Sequence, residues 1–297
     1  MQKPFKRIAI YGQPRSYDRH DFNEALQGLK KFLQKLNVDL FIEKETAGLL
    51  KDQDHPIVEL DQLRKCCDLL IVVGGDGNML SAGRIAAAID IPVVGINRGR
   101  LGFLTDILPS ELENKLRNIL EGHYQEEKRF LLSASVQSDN TVLSKSDALN
   151  DVVLLASKVA HMIQFEIFIN QQLVLNQRAD GLIIATPTGS TAYALSGGGP
   201  ILHPELDVIV LVPVSPHTLS SRPIVVDANS EITIKLNPTQ ITPACLSCDG
   251  QAPIALDSDH HIVIRKKSEK LRLIHPLDYN YYETLRSKLG WQAKYGA

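Results

Sequence analysis

The chain has 297 residues, of which 44% are hydrophobic and 22% are charged. This is enough for one large domain or two ordinary ones with real cores, and it excludes a disordered or fibrous protein. The net charge of −2, from 32 Lys and Arg against 34 Asp and Glu, gives no electrostatic reason to expect a nucleic-acid partner.

The N-terminal segment and the cysteines indicate the compartment. Residues 1–7 are basic but continue directly into a predicted strand, without the apolar region of a signal peptide. No apolar run approaches the roughly 20 residues of a membrane span, so we expect no membrane partner. Cys245 and Cys248 form a C-x-x-C pair, but the adjacent Cys66 and Cys67 are a poor second pair for a zinc site. We therefore expect buried or half-buried thiols in a cytoplasmic protein.

The first 125 residues alternate between predicted strands and predicted helices. Strands are predicted at 7–11, 38–42, 68–73 and 91–96, and helices at 21–36, 78–89 and 110–122. The apolar run 68–73 is typical of a strand that is buried on both faces of a parallel sheet. Ser110 opens a sequence of capping-box form, and Gly122 marks a helix end. The pattern predicts a doubly wound α/β domain over residues 1–125.

From residue 126 the sequence changes to short β-type segments separated by turn residues. These segments are predicted at 130–136, 152–155, 165–169, 182–185, 208–212, 232–236 and 262–264. The run 232–236 alternates strictly between apolar and polar residues, as in an antiparallel strand with one solvated face. We predict a mostly β domain over 126–275. We also predict a helix from Asp278 to Gly290 and expect residues 276–297 to pack back on the first domain.

A glycine-rich turn, Gly74-Gly75-Asp76-Gly77-Asn78, follows the apolar strand 68–73. Glycines at the carboxyl end of a strand let phosphate oxygens approach main-chain N–H groups. Asp76 would repel a phosphate, so it makes better sense as a group that accepts a proton or orients a hydroxyl. Leu80 stands where the dinucleotide fingerprint needs Gly or Ala, and the chain has neither a P-loop nor a G-x-S-x-G elbow.

A second candidate stretch runs from Asp180 to Tyr193, where an apolar strand leads into small hydroxyl residues and a predicted helix start. Hydroxyls and N–H groups at a helix N-terminus suit the recognition of phosphate, ribose or carboxylate. A turn rich in small polar residues explains the same stretch without any ligand. Because each of the two predicted domains carries one such cluster, the sequence favours a bound nucleotide.

These stretches together resemble the NAD kinase family, most closely its bacterial polyphosphate/ATP-NAD kinase group. The resemblance runs through nearly the whole chain and rests on six blocks, Gly74–Asn78, Asn97–Leu104, Asn150-Asp151, Asp180–Tyr193, Pro216–Pro223 and Cys248–Gln251. The glycine turn alone also resembles diacylglycerol-type lipid kinases and phosphofructokinases. The six blocks in order therefore carry the resemblance.

The resemblance implies an enzyme that transfers the γ-phosphoryl group of ATP to the 2′-hydroxyl of the adenosine ribose of NAD, giving NADP. Asp76 matches the family's proton acceptor, and Gly75, Gly77 and Asn78 are its nucleotide-binding neighbours. The family implies a divalent metal ion, expected to be Mg²⁺, for which no protein ligand is assigned. It also implies a homodimer or homotetramer.

The resemblance assigns further substrate contacts to the second domain. Asn150 and Asp151 match residues that hold the ribose hydroxyls of NAD, and Arg178 and Asp180 match positions near the nicotinamide and ribose. His161 matches a basic or polar contact, although a structural or surface role explains it equally well. The remaining nucleotide-binding positions are Thr188, Gly189, Ser190, Thr191, Ala192, Tyr193, Ser196 and Gln251.

Two other functions share part of this pattern. A lipid kinase with the same glycine turn would need an acyl-chain pocket, and it does not account for the blocks 97–104 and 188–193. A non-catalytic NAD-sensing protein has no need for Asp76 among phosphate-binding glycines. The sequence therefore predicts an ATP-dependent NAD kinase.

Overall fold

The computed structural model describes residues 4–13, 19–98, 102–139, 141–158, 161–239 and 242–291. The chain divides into two units. The first contains the residues up to Lys128 and those from Leu271 onwards, and the second is Arg129–Lys270.

Strands and helices alternate along the first part of the first unit. They are β1 (Arg7–Tyr11), α1 (Arg19–Gln34), β2 (Asp39–Glu43), α2 (Lys44–Leu50), β3 (Ile57–Val58), α3 (Leu63–Cys66), β4 (Leu69–Val73), α4 (Asp76–Ala88), β5 (Val93–Ile96) and α5 (Leu112–Leu120). The strands pair in parallel in the order β3-β2-β1-β4-β5. Every residue of β4 is buried, as its apolar run predicted. The predicted doubly wound α/β fold is confirmed.

Helix α1 shows how the sequence pattern builds the core of this unit. Phe22, Leu26, Leu29 and Leu33 recur at helical spacing and are fully buried or nearly so. They belong to one hydrophobic cluster with residues of β1 and β4. The apolar side of α1 therefore covers one face of the parallel sheet.

The capping box predicted at Ser110 is wrong. A short 3₁₀ turn occupies Pro109–Glu111, and α5 begins after it with Glu111 at its N-cap and no side-chain cap hydrogen bond. The proline ring fixes φ in the helical range, so the turn starts at Pro109 and Ser110 lies inside it. The predicted end of the helix is correct, because Gly122 follows α5 with a φ of 94°.

The second unit is built almost entirely of strands. Its elements, with the two strands that link it to the first unit, are β6 (Tyr124–Ser138), β7 (Thr141–Ala148), β8 (Asp151–Ala156), β9 (Ile163–Ile169), β10 (Gln172–Ala179), β11 (Gly181–Ala185), α6 (Tyr193–Ser196), β12 (Val208–Val214), β13 (Ile224–Asp227), β14 (Ile232–Leu236), β15 (Ala244–Cys248), β16 (Ile254–Leu256) and β17 (His260–Pro276). One antiparallel sheet has the order β13-β12-β11-β8-β15-β16. The predicted, mostly β character of this region is confirmed.

A single hydrophobic core lies between this sheet and the strands β9, β14 and β17. Strand β14 alternates between buried residues and more exposed ones, as its sequence predicted. On its other face, the antiparallel sheet packs against Ala194 of α6 and against Leu202.

The chain returns to the first unit through the end of β17, where Leu273 pairs in parallel with Val93 of β5. A short helix, α7 (Tyr281–Leu289), follows, and the side chain of Asn280 caps its first turn by accepting from two backbone N–H groups. Among the described residues, none of the helices combines the length and apolar character that a membrane span needs.

Candidate active site

The glycine turn after β4 lies at the point where the parallel sheet reverses its strand order. Strand β1 is flanked by β2 on one side and by β4 on the other, and the chain proceeds outwards in opposite directions from this pair. In open α/β sheets, ligands bind in the crevice at the carboxyl ends of two such strands. A Cβ at Gly12, directly after β1, would lie 2.9 Å from the carbonyl oxygen of Val73 at the end of β4, so the two strand ends are in close contact.

Helix α4 begins at Asp76, and its carboxylate is held by a neighbouring loop. Oδ2 accepts a hydrogen bond from the backbone N–H of Phe103 and Oδ1 accepts one from Leu104, both at 3.1 Å. The first turn of a helix also favours a negative charge. The side chain is half-buried, so its oxygens remain within reach of a ligand. A carboxylate that is fixed in this way can accept a proton from a hydroxyl.

Gly102 allows the loop to approach this carboxylate. A Cβ built at Gly102 would overlap Oδ1 of Asp76 and Oγ1 of Thr105. Thr105 is itself fully buried and accepts a hydrogen bond of 2.8 Å from the amide of Asn97. Gly99 and Leu101, which belong to the same sequence block, lie outside the described residues.

We expect Gly102→Ala to lower kcat at least 100-fold. The added methyl must displace either the carboxylate of Asp76 or the loop that donates to it, and misplacement of about 1 Å at a reacting group is enough for such a loss. Steady-state kinetics and thermal unfolding of the purified variant test this. Gly28→Ala is the matched control, because a Cβ there has nothing within 4 Å, and it should keep wild-type kcat. A Gly102→Ala enzyme with wild-type kcat would contradict the close contact.

Asn78 acts on the backbone of the turn. Its amide donates to the carbonyl oxygens of Gln13 and Val73, each at 2.9 Å, and so ties the end of β4 to the loop after β1. Gly74 has a φ of 147°, and a Cβ there would overlap the Asn78 side chain. Gly75 and Gly77 are the open part of the turn, since Gly77 is exposed and a Cβ at Gly75 would have nothing within 4 Å.

Three loops meet at one end of the antiparallel sheet of the second unit. Asp151, the first residue of β8, pairs with Ala185, the last residue of β11. On the other side of β8, Val152 pairs with Cys248, the last residue of β15. The loops before β8, after β11 and after β15 are therefore neighbours, although they are far apart in sequence. They carry the blocks Asn150-Asp151, Thr186–Tyr193 and Cys248–Gln251.

Asp249 holds the first of these loops in place. Its carboxylate accepts from the backbone N–H groups of Leu149 and Asn150 at 2.8 Å and from that of Asp151 at 3.2 Å. The sequence prediction did not list Asp249 among the site residues. Asp249-Gly250 is a turn signal that indicates a local role. Bonds to residues about 100 positions away leave no trace in the local pattern.

Asp151 is a buried acid close to this second carboxylate. Asp151 is only 6% exposed. Burial, and next the negative charge of Asp249, raises the pKa of Asp151 to about 7. Near neutral pH the group can therefore donate a hydrogen bond as a carboxylic acid or accept one as a carboxylate. Strongly perturbed acids of this kind are concentrated at functional sites.

The loop after β11 packs tightly on the Asn150 backbone. Thr186 accepts from the N–H of Gly189 at 3.1 Å and donates to the carbonyl of Leu149 at 2.6 Å. A Cβ at Gly189 would overlap the carbonyl oxygen of Asn150, so only glycine fits there. Ser190 is fully buried, and its hydroxyl bonds to backbone groups of the same loop and of Leu202. These residues shape the loop.

The other predicted residues of this loop range from buried to exposed. The hydroxyl of Thr188 accepts from the buried guanidinium of Arg129 at 3.1 Å. Thr191 and Ala192 are half-buried, and Ser196 is exposed. Tyr193 is 41% exposed and presents its ring at the start of α6. The predicted helix start is real, but α6 is a single turn of four residues.

The other four predicted residues lie on different elements of the same unit. Arg178 is an exposed residue near the end of β10, and its carbonyl accepts from the N–H of His217 at 2.9 Å. Asp180 is half-buried between β10 and β11, and His161 is exposed before β9. Gln251 is exposed, and its side chain donates to the carbonyl of Asp147 at 3.4 Å. The role of each in binding stays a prediction.

One group of side chains in the described part of the chain has a spacing that could hold a metal ion. Asp257, Asp259 and His260 can bring one ligand atom each within 4.8 Å of the others. Both acids are exposed. The imidazole of His260 lies 3.8 Å from the carboxylate of Asp257, and the carboxylate of Asp259 accepts a hydrogen bond from the hydroxyl of Ser138 at 2.8 Å. The group lies on the turn between β16 and β17, away from the three loops.

Two family models cover the chain in sequence. The ATP-NAD kinase N-terminal domain matches residues 23–124, and the ATP-NAD kinase C-terminal domain matches residues 149–276. An NAD kinase from Pseudomonas entomophila is 52% identical over 98% of this chain and 98% of that protein. One from Chromohalobacter salexigens is 49% identical over 99% of each. The chain belongs to the ATP-NAD kinase family.

Solved structures agree with this assignment. An NAD kinase from Archaeoglobus fulgidus in complex with ATP covers 95% of this chain and 99% of its own, with a TM-score of 0.71 and 27% identity. A yeast NADH kinase complexed with NADH shares the fold, with a TM-score of 0.86, 22% identity and coverage of 99% of this chain and 90% of its own. The predicted activity, that of an ATP-dependent NAD kinase, is confirmed. Nothing among these relatives favours the lipid kinase or the non-catalytic sensor.

Proposed function

We propose that this chain phosphorylates the 2′-hydroxyl of the adenosine ribose of NAD with Asp76 as the general base. The ribose oxygen attacks the γ-phosphorus of ATP, its proton passes to Asp76, and the bond from that phosphorus to the bridging oxygen of ADP breaks. The observation that carries this proposal is the pair of backbone N–H groups, of Phe103 and Leu104, that fixes the carboxylate. Positioned bases contribute about 10²–10⁴-fold to such reactions.

We infer that the three loops of the second unit bind NAD. Asn150 and Asp151 would hold the ribose hydroxyls, a contact that a carboxylate also makes in dinucleotide-binding folds. The exposed ring of Tyr193 offers a surface for a base, and the small residues beside it leave room for the sugar. Arg178, Asp180, His161, Ser196 and Gln251 are further candidates for contacts with the rest of the dinucleotide.

The phosphoryl donor is ATP, and the glycine turn is the proposed place for its phosphates. Gly75 and Gly77 leave the start of α4 open, and N–H groups at a helix N-terminus attract phosphate oxygens. Asp76 is the one carboxylate of this turn and is assigned to the proton of the ribose hydroxyl, which fits a Mg²⁺ ion held mainly through ATP phosphates. When bound, such an ion neutralises charge on the transferring group.

We also propose a homo-oligomer, dimeric or tetrameric, in the cytoplasm. Strand β10 is the edge of its sheet and carries Leu173 and Val174, which are 57% and 42% exposed. Exposed apolar residues on an edge strand suit pairing with a second copy. Light scattering coupled to gel filtration tests this, and a monomer at micromolar concentration would contradict it.

The test of the reaction uses purified enzyme with NAD, ATP and Mg²⁺, followed by an NADP-specific dehydrogenase. We expect NADP to form with ATP and to be absent when Mg²⁺ is chelated. A lipid substrate in place of NAD serves as the control for the alternative kinase. Phosphorylated lipid without NADP would overturn the proposal.

A further inference from the structure

A buried histidine connects two acids next to the loop that holds Asp76. His275, near the end of β17, is 2% exposed. Its Nδ1 lies 2.8 Å from Oδ2 of Asp106, and its Nε2 lies 3.1 Å from Oε2 of Glu127. The ring of Tyr279 stacks on the imidazole with centroids 3.9 Å apart and planes at 10°. The four side chains belong to the first unit.

The geometry requires a charged imidazole when both acids are ionised. A neutral imidazole has a single N–H and can donate to only one of the two acids, whereas the imidazolium donates to both. Burial alone would lower the pKa of His275, but the hydrogen bonds and charges of Asp106 and Glu127 outweigh it and raise this pKa above its ordinary 6.5. Lys115, Asp278 and Glu111 line a cavity of about 300 Å³ that adjoins Asp106.

Asp106 is the end of the segment that donates to Asp76. Leu104, two residues earlier, supplies one of the two N–H groups. The segment closes on itself, since the N–H of Gly102 donates to the carbonyl of Thr105 at 2.9 Å. Beyond Asp106, the carbonyl of Ile107 accepts from the N–H of Asn97 at 2.8 Å, which ties the chain to β5.

We propose that His275 is a positioning residue for the phosphoryl transfer: by holding Asp106, it keeps the N–H groups of Phe103 and Leu104 aimed at the carboxylate of Asp76. If the contact between His275 and Asp106 is lost, the carboxylate of Asp76 is displaced but still present. The effect therefore falls on kcat, and the affinity for NAD and ATP stays the same. This proposal rests on the proposed role of Asp76.

A purely structural ion pair makes a different prediction. Buried ion pairs often contribute little net stability, and removal of one partner destabilises the fold as a whole. His55 provides the matched comparison in the same unit, because it also bonds to a buried acid, Asp52, with Nδ1 3.0 Å from Oδ1. The Nε2 atom of His55 lies 3.3 Å from the side-chain nitrogen of Gln34.

The test compares His275→Gln with His55→Gln by steady-state kinetics and thermal unfolding. We expect His275→Gln to lower kcat at least 10-fold, with KM for NAD and for ATP within twofold of wild type. His55→Gln should lower the Tm without a matching change in kcat. Equal kcat in wild type and His275→Gln would overturn the proposal, and so would a loss that only follows the folded fraction.

The pH profile gives a second reading if His275→Gln does not fold. In the wild type, kcat should fall as the pH rises through the raised pKa of His275, because the imidazolium is lost. Glu127→Gln removes one of the two charges that raise this pKa, so the fall should move to lower pH while the low-pH plateau of kcat is kept. An unmoved profile would contradict the proposal.

Asp76→Asn, assayed beside these variants, separates the two proposals. If Asp76→Asn keeps its turnover, the role of Asp76 fails, and the positioning role fails with it. If Asp76→Asn is inactive and both His275→Gln and Glu127→Gln match the wild type, only the positioning role fails.

Discussion

Asp76→Asn lowers kcat by about 10²–10⁴-fold, the contribution expected of a positioned general base, while the Kd for NAD changes little. The amide has no basic oxygen that can take the proton from the ribose hydroxyl. It also brings an NH₂ group towards the N–H of Phe103 or of Leu104, where the carboxylate had accepted from both. The measurement is single-turnover formation of NADP, with NAD binding followed separately by calorimetry.

Asp68→Asn separates the loss of the base from the loss of a backbone clamp. Asp68 lies in the same unit, and its Oδ1 accepts from the N–H groups of Lys6 at 3.2 Å and Arg7 at 3.0 Å. The substitution repeats the chemical change at a carboxylate that also accepts from two backbone N–H groups. We expect a modest decrease in stability and wild-type kcat. Near wild-type turnover by Asp76→Asn would contradict the assignment of the base.

The strands of the first unit could be predicted well because each is marked by a local run of apolar residues. The five residues of β4 are all apolar and all buried, and the glycine turn follows directly. In the second unit, the strand β7, Thr141–Ala148, was missed, because most of its residues are polar and half of them are exposed. Its pairing with β6, from Leu132↔Ala148 to Ser138↔Thr141, is set by the neighbouring strand.

A role for Asp76 in proton transfer could be proposed from its glycine neighbours, but the groups that fix its carboxylate could not be predicted. Phe103 and Leu104 are 27 and 28 positions away, and they donate through backbone N–H groups that any residue other than proline provides. His275 is 169 positions from Asp106. Contacts of this kind follow from the tertiary fold, so one sequence read alone carries no sign of them.

The second unit shows the same limit for binding residues. Thr188, Gly189 and Ser190 form one sequence block, yet Ser190 is fully buried and bonded to backbone while Thr188 contacts Arg129. The pattern predicted the loop. It could not separate the buried residues that shape the loop from those that stay exposed, because burial is decided by packing against Leu202 and Asn150.

Asp151→Asn raises the KM for NAD at least 10-fold and at the same time stabilises the unliganded enzyme at pH 8. Burial and the charge of Asp249 raise the pKa of Asp151 from its usual 3.8 to about 7. Since a tenfold change in a proton equilibrium corresponds to about 1.4 kcal/mol, ionisation in the folded state costs up to about 4 kcal/mol. The asparagine does not ionise, so it avoids this cost, but it loses the carboxylate that is proposed to accept from the ribose hydroxyls.

The raised pKa of Asp151 determines how the stability difference between wild type and Asp151→Asn changes with pH. As the pH rises from about 4 to about 7, the unfolded wild-type chain releases the proton of Asp151 before the folded chain does. The free energy of unfolding of the wild type therefore falls through this window, relative to Asp151→Asn, and the difference stays constant above pH 7. Urea unfolding at pH 4, 6 and 8, without NAD, measures the difference directly.

Asp257→Asn, at an aspartate whose side chain is 84% exposed in the same unit, is the control and should change neither quantity. A pH-independent difference for Asp151→Asn would contradict the buried charge, and an unchanged KM would contradict the contact with the ribose. A gain in stability together with a loss of binding is the sign of a group kept for its function, because a structural acid would not destabilise the fold that holds it.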